Sequence, residues 1–307
     1  MPFHEGELAV QKQAGVEAAA QRVSGALKQG FEPASTEFLQ PRPFAIASSI
    51  DPSGNLWASL ITGPPGFLTV TSDQTLNVNP ISTMDSQLIQ NLHTNPTMGL
   101  LTLDLAARRR LRVNGYAQQV SEQGIQLQAQ QVFFNCPKYI QTRYLVSAPS
   151  NRPPSTPAAS TSNLSSDQQD WIAHTDTFFI ATAHPEKGAD ISHRGGLPGV
   201  LQVVNANHLL FPDFKGNNMF QSFGNIAVNP QVGLLILDFE QGHTLQLTGK
   251  AELLWDDPRQ QPFNGAQCLV SFTIEQVRMI RHACSLQWKF GEFSPVIPPQ
   301  HSTPEFP

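Results

Sequence analysis

The sequence repeats itself over most of its length. The segment Asn95–Asp104 recurs as Asn229–Asp238, with seven of ten positions identical. In each copy a second glycine follows sixteen positions after the glycine of that segment, at Gly115 and at Gly249. A period of about 134 residues (229 minus 95) is far too long for a solenoid unit. The repeat therefore predicts two copies of one whole domain.

A Pro/Ser-rich stretch separates the two copies. It begins at Ser147 and cannot bury enough apolar surface to fold on its own. We therefore predict a linker over residues 147–169, between an N-terminal domain at 1–146 and a C-terminal domain at 170–307. A chain of 307 residues is long enough for two cores of ordinary domain size.

The pattern of each copy is mostly that of β-strands. Val200–Val204 precedes a turn and a second apolar run, which is typical of a hairpin. A short helix is predicted over Asp85–His93, with Asp85 as its N-cap and the following Asn-Pro pair as its end. The N-terminal arm Gly6–Lys28 carries apolar residues on one face and predicts an amphipathic helix. About six antiparallel strands per copy with one or two helices indicate a mainly β (α+β) fold built as a barrel.

Composition and charge argue against several classes of protein. The formal net charge of −5 disfavours nucleic acid or an anionic membrane as the partner. The start of the sequence lacks the basic and apolar regions of a signal peptide, and no apolar run approaches the roughly 20 residues of a membrane span. Cys136, Cys268 and Cys284 form neither a set of pairs nor a Cys-x-x-Cys spacing. We therefore expect a cytoplasmic protein.

Familiar catalytic motifs are absent from the sequence. It contains no Gly-x-Ser-x-Gly, His-Glu-x-x-His, Gly-x-Gly-x-x-Gly or phosphate-loop motif. The stretch from His184 to Glu186 is similar to part of the zinc deaminase motif, but the partner Pro-Cys-x-x-Cys is missing. We predict no metal site and assign no catalytic residue.

The two copies differ most at positions where the second copy has polar residues and the first copy has apolar ones. Ile191–Gly196 reads Ile-Ser-His-Arg-Gly-Gly where the first copy has Ala-Ser-Leu-Ile-Thr-Gly. Arginine offers a fork of donors that fits a phosphate, and the N-terminus of a helix favours an anion. Two ordinary solvated turns are the alternative interpretation. The predicted phosphate site comprises Ser192, His193, Arg194, Lys215, Gly216, Asn217 and Asn218.

These motifs resemble the pyridoxamine 5′-phosphate oxidase-related, FMN-binding split-barrel family. The resemblance covers roughly residues 170–257, and the first copy resembles the same fold more faintly. Asn135–Arg143 is a further segment that recurs in the two-copy branch of the family. The segments that carry the resemblance are Ser192–Gly199, Pro212–Phe220, Gly224-Asn225, Asn229–Leu235 and Leu245–Gly249.

The resemblance implies two tandem antiparallel split β-barrels that form an internal pseudo-dimer, with FMN in the groove between them. Ser192, Arg194, Lys215, Asn217 and Asn218 would then hold the phosphate from the second copy. Because the first copy lacks the corresponding residues, we expect one FMN per chain. The residues expected to reach across from the first copy are Lys138, Gln141 and Arg143.

The substrate-phosphate arginines of pyridoxamine 5′-phosphate oxidase itself are not found here, so its vitamin B6 chemistry is not carried over. An FMN-dependent oxidoreductase is one function that the resemblance implies, with hydride taken from a reduced nicotinamide nucleotide, NAD(P)H, and passed to a small acceptor. A non-catalytic flavin-binding or electron-carrying module is the alternative, and heme binding is a third that the phosphate-site residues disfavour. The protein is expected as a monomer with an internal pseudo-dimer or as a homodimer.

Two further features have open interpretations. Cys136 lies inside the Asn135–Arg143 segment, where a small buried residue is favoured over a reactive thiol. The run Arg108–Arg110 is placed at a hairpin tip, where it is interpreted as a solvated turn or as a docking patch for an acidic partner.

Overall fold

The computed structural model describes residues 2–79, 85–146, 155–157 and 159–298. Residues 147–154 and 158 of the predicted linker lie outside the described residues. The Pro-containing tail from residue 299 onward lies outside them as well. The fold is mostly β, with two tandem antiparallel sheets, which confirms the predicted fold class.

The first domain contains one seven-stranded antiparallel sheet. Its strands are joined in the order β2-β1-β5-β6-β7-β4-β3. The strand bounds are β1 Phe44–Ile50, β2 Leu56–Thr62, β3 Leu68–Ser72, β4 Thr75–Val78, β5 Thr97–Asp104, β6 Arg109–Ser121, β7 Gly124–Asn135 and β8 Arg143–Val146, the last of which lies outside this sheet.

The second domain repeats this order in its own sheet, β11-β10-β14-β15-β16-β13-β12. Among the described strands neither hydrogen-bonded path closes on itself, so neither sheet forms a closed barrel. The strand bounds are β9 Thr156–Pro157, β10 Thr177–His184, β11 Gly188–Gly195, β12 Gln202–Asn205, β13 His208–Phe214, β14 Gln231–Leu237, β15 Thr244–Leu254, β16 Ala266–Arg281 and β17 Gln287–Phe290.

Six α-helices lie among the described residues. The predicted helix at Asp85–His93 is confirmed, with the Asp85 side chain accepting a hydrogen bond from the backbone N–H of Gln87 at 3.1 Å. No helix of the described chain is both long and apolar enough to cross a membrane. The bounds are α1 Glu5–Gln13, α2 Glu17–Val23, α3 Pro33–Leu39, α4 Ser86–Thr94, α5 Ser166–Ala173 and α6 Gln221–Val228.

The N-terminal arm differs from its prediction. Instead of one helix over Gly6–Lys28, the arm forms α1 and α2, followed by a short 3₁₀ helix at Ser24–Ala26. Gly15 breaks the helix with a φ of 66°, a left-handed conformation that glycine adopts without steric cost. Helix α1 makes its largest contact with α6 of the second domain.

The two domains pack face to face around a shared apolar core. Phe44, Ile46 and Leu101 of the first domain lie in one buried cluster with Phe179 and Leu235 of the second. The contacts are reciprocal, because β11 packs on β5 and its counterpart β2 packs on β14. This arrangement is the internal pseudo-dimer that the resemblance implied.

The repeated glycines allow this close approach. A Cβ atom on Gly99 would lie 2.8 Å from the backbone of Asp190, and one on Gly233 would lie 2.5 Å from the carbonyl oxygen of Leu56. The second repeated pair, Gly115 and Gly249, lies at irregularities of the β6–β7 and β15–β16 ladders. Glycine is therefore retained twice per copy for steric reasons.

Several described residues between the domains form regular structure instead of a free linker. Strand β9 pairs with β16, and Thr161 forms a bridge with Val277. Helix α5 begins at Ser166, inside the predicted linker, and Ser165 caps it. In addition, β8 of the first domain pairs with β17 at the far end of the sequence.

Candidate functional site

A cavity lies between the domains and contains most of the predicted site. Strands β6 and β7 of the first domain line it from one side, and β11, β13 and the start of α6 line it from the other. We call it the interdomain cavity. Its polar lining residues are Arg110, Arg112, Asn135, Cys136, Tyr139, Ser192, His193, Arg194, Asp213, Asn217, Asn218, Gln221 and Ser222.

Arg112 holds the centre of a buried polar network that joins the domains. Its guanidinium donates to Asp190 at 2.8 Å and to Gln221 at 3.0 Å. The same group donates to the hydroxyl of Ser192, which also exchanges a hydrogen bond with Ser222. Burial lowers the pKa of Arg112, while the Asp190 carboxylate favours its charged form.

Arg110 lies two residues earlier on β6, on the same face of the sheet. Its Nη1 donates to Nδ1 of His193 at 3.0 Å and to the His193 carbonyl at 3.2 Å. Desolvation in the cavity lowers the pKa of Arg110 to about 10. Because the guanidinium donates to Nδ1, the hydrogen of a neutral His193 ring must be on Nε2.

His193 is 5% exposed and remains neutral near pH 7. Burial lowers its pKa well below the usual value, and the positive charges of Arg110, Arg143 and Arg194 lower it further. Its Nε2 has no hydrogen-bond partner among the described residues. The side chain therefore offers one neutral N–H donor at the cavity.

Arg194 and Asp213 form the ion pair at the β13 side of the cavity. The guanidinium of Arg194 also lies over the ring of Phe223, 4.6 Å from its centroid. Burial raises the pKa of Asp213, and the neighbouring Arg194 opposes that shift. Although Asp213 is buried, its ion pair with Arg194 compensates part of the desolvation cost.

The turn between β13 and α6 lines one side of the site. Gly216, Asn217 and Asn218, three residues of the predicted phosphate site, line the cavity. Asn218 and Phe220 both adopt left-handed backbone conformations, with φ of 64° and 56°. The Asn217 side chain accepts from the backbone N–H of Met219 at 3.1 Å, which fixes the turn.

Lys215 and Lys138 meet at the edge of this turn. Nζ of Lys138 and the hydroxyl of Tyr139 both donate to the carbonyl oxygen of Lys215, at 3.2 Å and 3.0 Å. Neither lysine is among the residues that line the cavity; Lys215 is exposed and Lys138 is half-buried. Lys138 thus reaches across to the second copy, but to its backbone.

The structure does not bring Gln141 and Arg143 to the cavity, in contrast to the expectation. Gln141 is buried and donates to the carbonyl of Gly196 at 2.8 Å. Arg143 donates to both carboxylate oxygens of Asp176, at 2.6 and 2.8 Å, and lies over the ring of Phe239. Because these partners already use their donors, both side chains stabilise the domain interface instead.

Arg110 and Arg112 occupy the place that was expected for Gln141 and Arg143. The sequence pattern puts Arg110 in a solvated turn, whereas in the structure only the preceding residues form the β5–β6 turn. The repeat carries a signal for both arginines, because they align with Thr244 and Gln246 of the second copy. The predicted phosphate site rests on polar residues of the second copy alone, whereas in the structure the first copy contributes Arg110 and Arg112 beside Arg194 of the second.

Unpaired donors concentrate in the interdomain cavity. Of fourteen buried side-chain atoms without a hydrogen-bond partner among the described residues, six belong to residues that line it. Five of these six are N–H groups, so the unpaired donors of the site outnumber its unpaired acceptors. The six atoms are Arg110 Nε, Arg112 Nε, Arg194 Nε, His193 Nε2, Asn135 Nδ2 and Asn218 Oδ1.

A second groove occupies the pseudo-symmetric position. It is lined by Leu60, Ile61, Thr244 and Gln246, the repeat counterparts of cavity residues. Gln246 donates to the Ala58 carbonyl at 2.8 Å and to the Ser59 hydroxyl at 3.1 Å, as Arg112 does to Ser192. Arg278, the arginine among the described residues that line this groove, is paired with Asp85 by two hydrogen bonds, the longer of them 2.8 Å.

The family model for pyridoxamine 5′-phosphate oxidase matches the chain at residues 31–144 and again at 164–286. The chain therefore belongs to the pyridoxamine 5′-phosphate oxidase family and contains two copies of its domain. Comparison with curated proteins gave no significant match.

Solved structures of single domains are similar to parts of this chain. A candidate pyridoxamine 5′-phosphate oxidase from Lactobacillus delbrueckii is 18% identical, covers 38% of this chain and 94% of its own, and gives a TM-score of 0.32. A FAD-binding protein from Mycobacterium smegmatis is 18% identical, with coverages of 39% and 98% and a TM-score of 0.29. A FAD-binding protein from Mesorhizobium loti is 13% identical, with coverages of 40% and 98% and a TM-score of 0.28.

Proposed function

We propose that the protein binds one FMN in the interdomain cavity and acts as a flavin-dependent oxidoreductase. The observation that carries the proposal is the convergence of Arg110, Arg112 and Arg194 in one cavity, each with an Nε that lacks an acceptor among the described residues. A ligand rich in acceptors would satisfy them. A flavin phosphate, with its sugar chain and ring carbonyls, is such a ligand.

Different residues of this chain would bind different parts of FMN. The arginines and the turn at Gly216–Asn218 would bind the phosphate, because guanidinium groups and backbone N–H groups both favour an anion. The neutral His193 would donate to an uncharged acceptor of the cofactor. Bound FMN would supply the hydride and electron chemistry, with the protein providing position and electrostatics.

The cavity suits a reaction that needs no general base. Its carboxylate, Asp213, is paired with an arginine, and its histidine is held neutral with Nδ1 occupied. Hydride transfer from NAD(P)H requires no side chain to remove a proton first. An electron-carrying module without turnover has the same requirement, so the two functions must be separated by assay.

The test is a titration of the purified protein with FMN and with riboflavin, followed by flavin fluorescence. We expect tight binding of FMN and binding of riboflavin weaker by roughly 10- to 150-fold, because the phosphate contributes charge-assisted hydrogen bonds of about 1.5–3 kcal/mol. Equal affinity for the two ligands would place the phosphate outside the arginine cluster. NADH oxidation by the FMN-loaded protein, with an added acceptor, separates an oxidoreductase from a carrier.

A further inference from the structure

The turn between β13 and α6 is held from outside its own domain. The carbonyl oxygen of Lys215 accepts two hydrogen bonds from side chains of the first domain, at 3.2 Å and 3.0 Å. In addition, Nδ2 of Asn217 donates to Oδ1 of Asn135 at 3.4 Å. All three contacts come from residues 135–139, which begin at the last residue of β7. We call residues 135–139 the strap, because this segment of one domain crosses to a turn of the other.

The turn needs such support because its backbone is strained. Asn218 and Phe220 adopt left-handed conformations, which are unfavourable for residues with a Cβ atom. The first residue of the turn, Lys215, is exposed and is not fixed by burial. A turn of this kind keeps one conformation only where the surrounding structure holds it.

Tyr139 of the strap is strained as well, and its surroundings fix it from several directions. Its φ is 66°, a left-handed conformation that is uncommon for an aromatic residue. Its backbone N–H donates to the hydroxyl of Ser294 at 3.2 Å, and its carbonyl oxygen accepts from Nε2 of Gln141 at 3.3 Å. Its ring packs beside Phe214 of β13, with 5.5 Å between the ring centroids. A strained residue that its surroundings hold in place is a candidate for a functional role.

The second copy leaves room for the strap beside Arg194. A Cβ atom on Gly195 would lie 2.1 Å from the carbonyl oxygen of Tyr139, so a larger residue does not fit there. The repeat counterpart of Gly195 is Thr62 (195 minus 133), which has a branched side chain. The close contact with the strap therefore depends on a residue that the first copy does not share.

We propose that Tyr139 is a positioning residue for the phosphate of FMN. This inference rests on the proposed function, because it concerns the ligand of the same cavity. A phenol carries one O–H hydrogen, and Tyr139 donates it to Lys215. Tyr139 therefore acts on the ligand through the turn. By holding the Lys215 carbonyl it keeps Gly216–Asn218 at the cavity, where backbone N–H groups favour an anion.

The test compares FMN with riboflavin, which has no phosphate, in fluorescence titrations of the full-length protein. Tyr139→Phe removes one hydroxyl group and no charge. We expect it to weaken FMN binding by roughly 2- to 12-fold, the effect of one hydrogen bond, and to leave riboflavin binding unchanged. Tyr144→Phe, at an exposed position of β8, is the matched control and should change neither affinity. Urea unfolding of each variant verifies that it is folded.

The outcomes separate the role of Tyr139 from the proposed function. Unchanged FMN affinity in Tyr139→Phe, in a protein that prefers FMN to riboflavin, would overturn only the role of Tyr139. An equal loss of FMN and riboflavin affinity would also overturn it, because the side chain would then support the cavity as a whole. No preference for FMN in the wild type would contradict the phosphate site itself, and with it the positioning role.

Discussion

The repeat builds two grooves from the same strands, and only one of them concentrates positive charge. In the interdomain cavity β6 presents Arg110 and Arg112, which pair in the ladder with Leu103 and Leu101. The equivalent positions of β15, Thr244 and Gln246, carry no charge. The backbone is therefore shared, while two side chains on one strand decide whether an anion is attracted.

The facing strand shows the same divergence. Ser192, His193 and Arg194 on β11 correspond to Ser59, Leu60 and Ile61 on β2 (positions 59, 60 and 61 plus 133), and only the serine is kept. The pseudo-symmetric groove does contain Arg278, but Asp85 pairs with it. The comparison teaches that both copies keep the small residues of their interface, while a few side-chain differences separate the charged cavity from its counterpart.

The largest expected effect comes from making the cavity resemble its counterpart. Arg112→Gln introduces the residue found at position 246 and leaves Asp190 buried without its ion-pair partner. We expect the free energy of unfolding to fall by about 3–5 kcal/mol and FMN binding to be lost. Urea unfolding and FMN titration measure the two effects.

The double variant Arg112→Gln, Asp190→Asn separates these roles. It removes both charges, so most of the lost stability should return, because no uncompensated charge remains buried. FMN affinity should stay low. Recovery of full FMN affinity in the double variant would show that Arg112 acts only through the fold.

Helix α1 packs against α6 and holds Glu7 in a buried position, and this carboxyl group makes stability depend on pH. Burial raises the pKa of Glu7 to about 7, with the nearby charge of Asp190 adding to the shift. The folded state therefore retains a proton that the unfolded chain loses between pH 4.5 and 7. The free energy of unfolding should fall by about 3 kcal/mol as pH rises through this window and then level off.

Glu7→Gln should remove that fall and raise the unfolding free energy near pH 8. Other groups that face Glu7, namely His4, Glu5, Asp190 and Arg112, remain in the variant and provide the background dependence. Parallel pH profiles for wild type and Glu7→Gln would contradict a shifted pKa at this carboxyl group.

The reciprocal interface predicts a symmetric pair of defects. Gly99→Ala and Gly233→Ala each place a methyl group within 3.0 Å of the opposite domain's backbone. Each should lower the unfolding free energy by about 1–3 kcal/mol, as overpacking does. Gly25→Ala is the matched control, because a methyl group at that position would meet no atom within 4 Å. If only one of the two interface variants is destabilised, the contacts are not equivalent in solution.

Much of the fold and part of the candidate site could be predicted from the sequence, because the repeat reveals the two domains. The two domains, the α4 helix and the Gly216–Asn218 turn all follow from motifs that lie close together in the chain. Arg143 could not be assigned, because its partner Asp176 lies in the other domain and leaves no local pattern. Gly15 escapes prediction for the opposite reason: its apolar neighbours keep a helical period while its own φ ends the helix. Pairing across an interface is therefore the part that sequence periodicity does not encode.

A smaller effect is expected at His193, whose counterpart is Leu60. His193→Leu removes one neutral donor and leaves the three arginines in place. FMN affinity should fall by roughly 2- to 12-fold, equivalent to about 0.5–1.5 kcal/mol, and the fold should remain intact. His193→Gln, which keeps an N–H donor, should restore part of the affinity. A loss larger than that of Arg194→Ala would show that the histidine, rather than the arginines, dominates binding.

The central claim is that the duplication leaves one working cofactor site per chain. The most direct measurement is the amount of flavin bound at saturation, released by denaturation and compared with the protein concentration. We predict one FMN per chain, with the phosphate at the arginine-lined cavity and none in the groove of Thr244 and Gln246. Two FMN per chain, or no FMN at saturating concentration, would contradict this account.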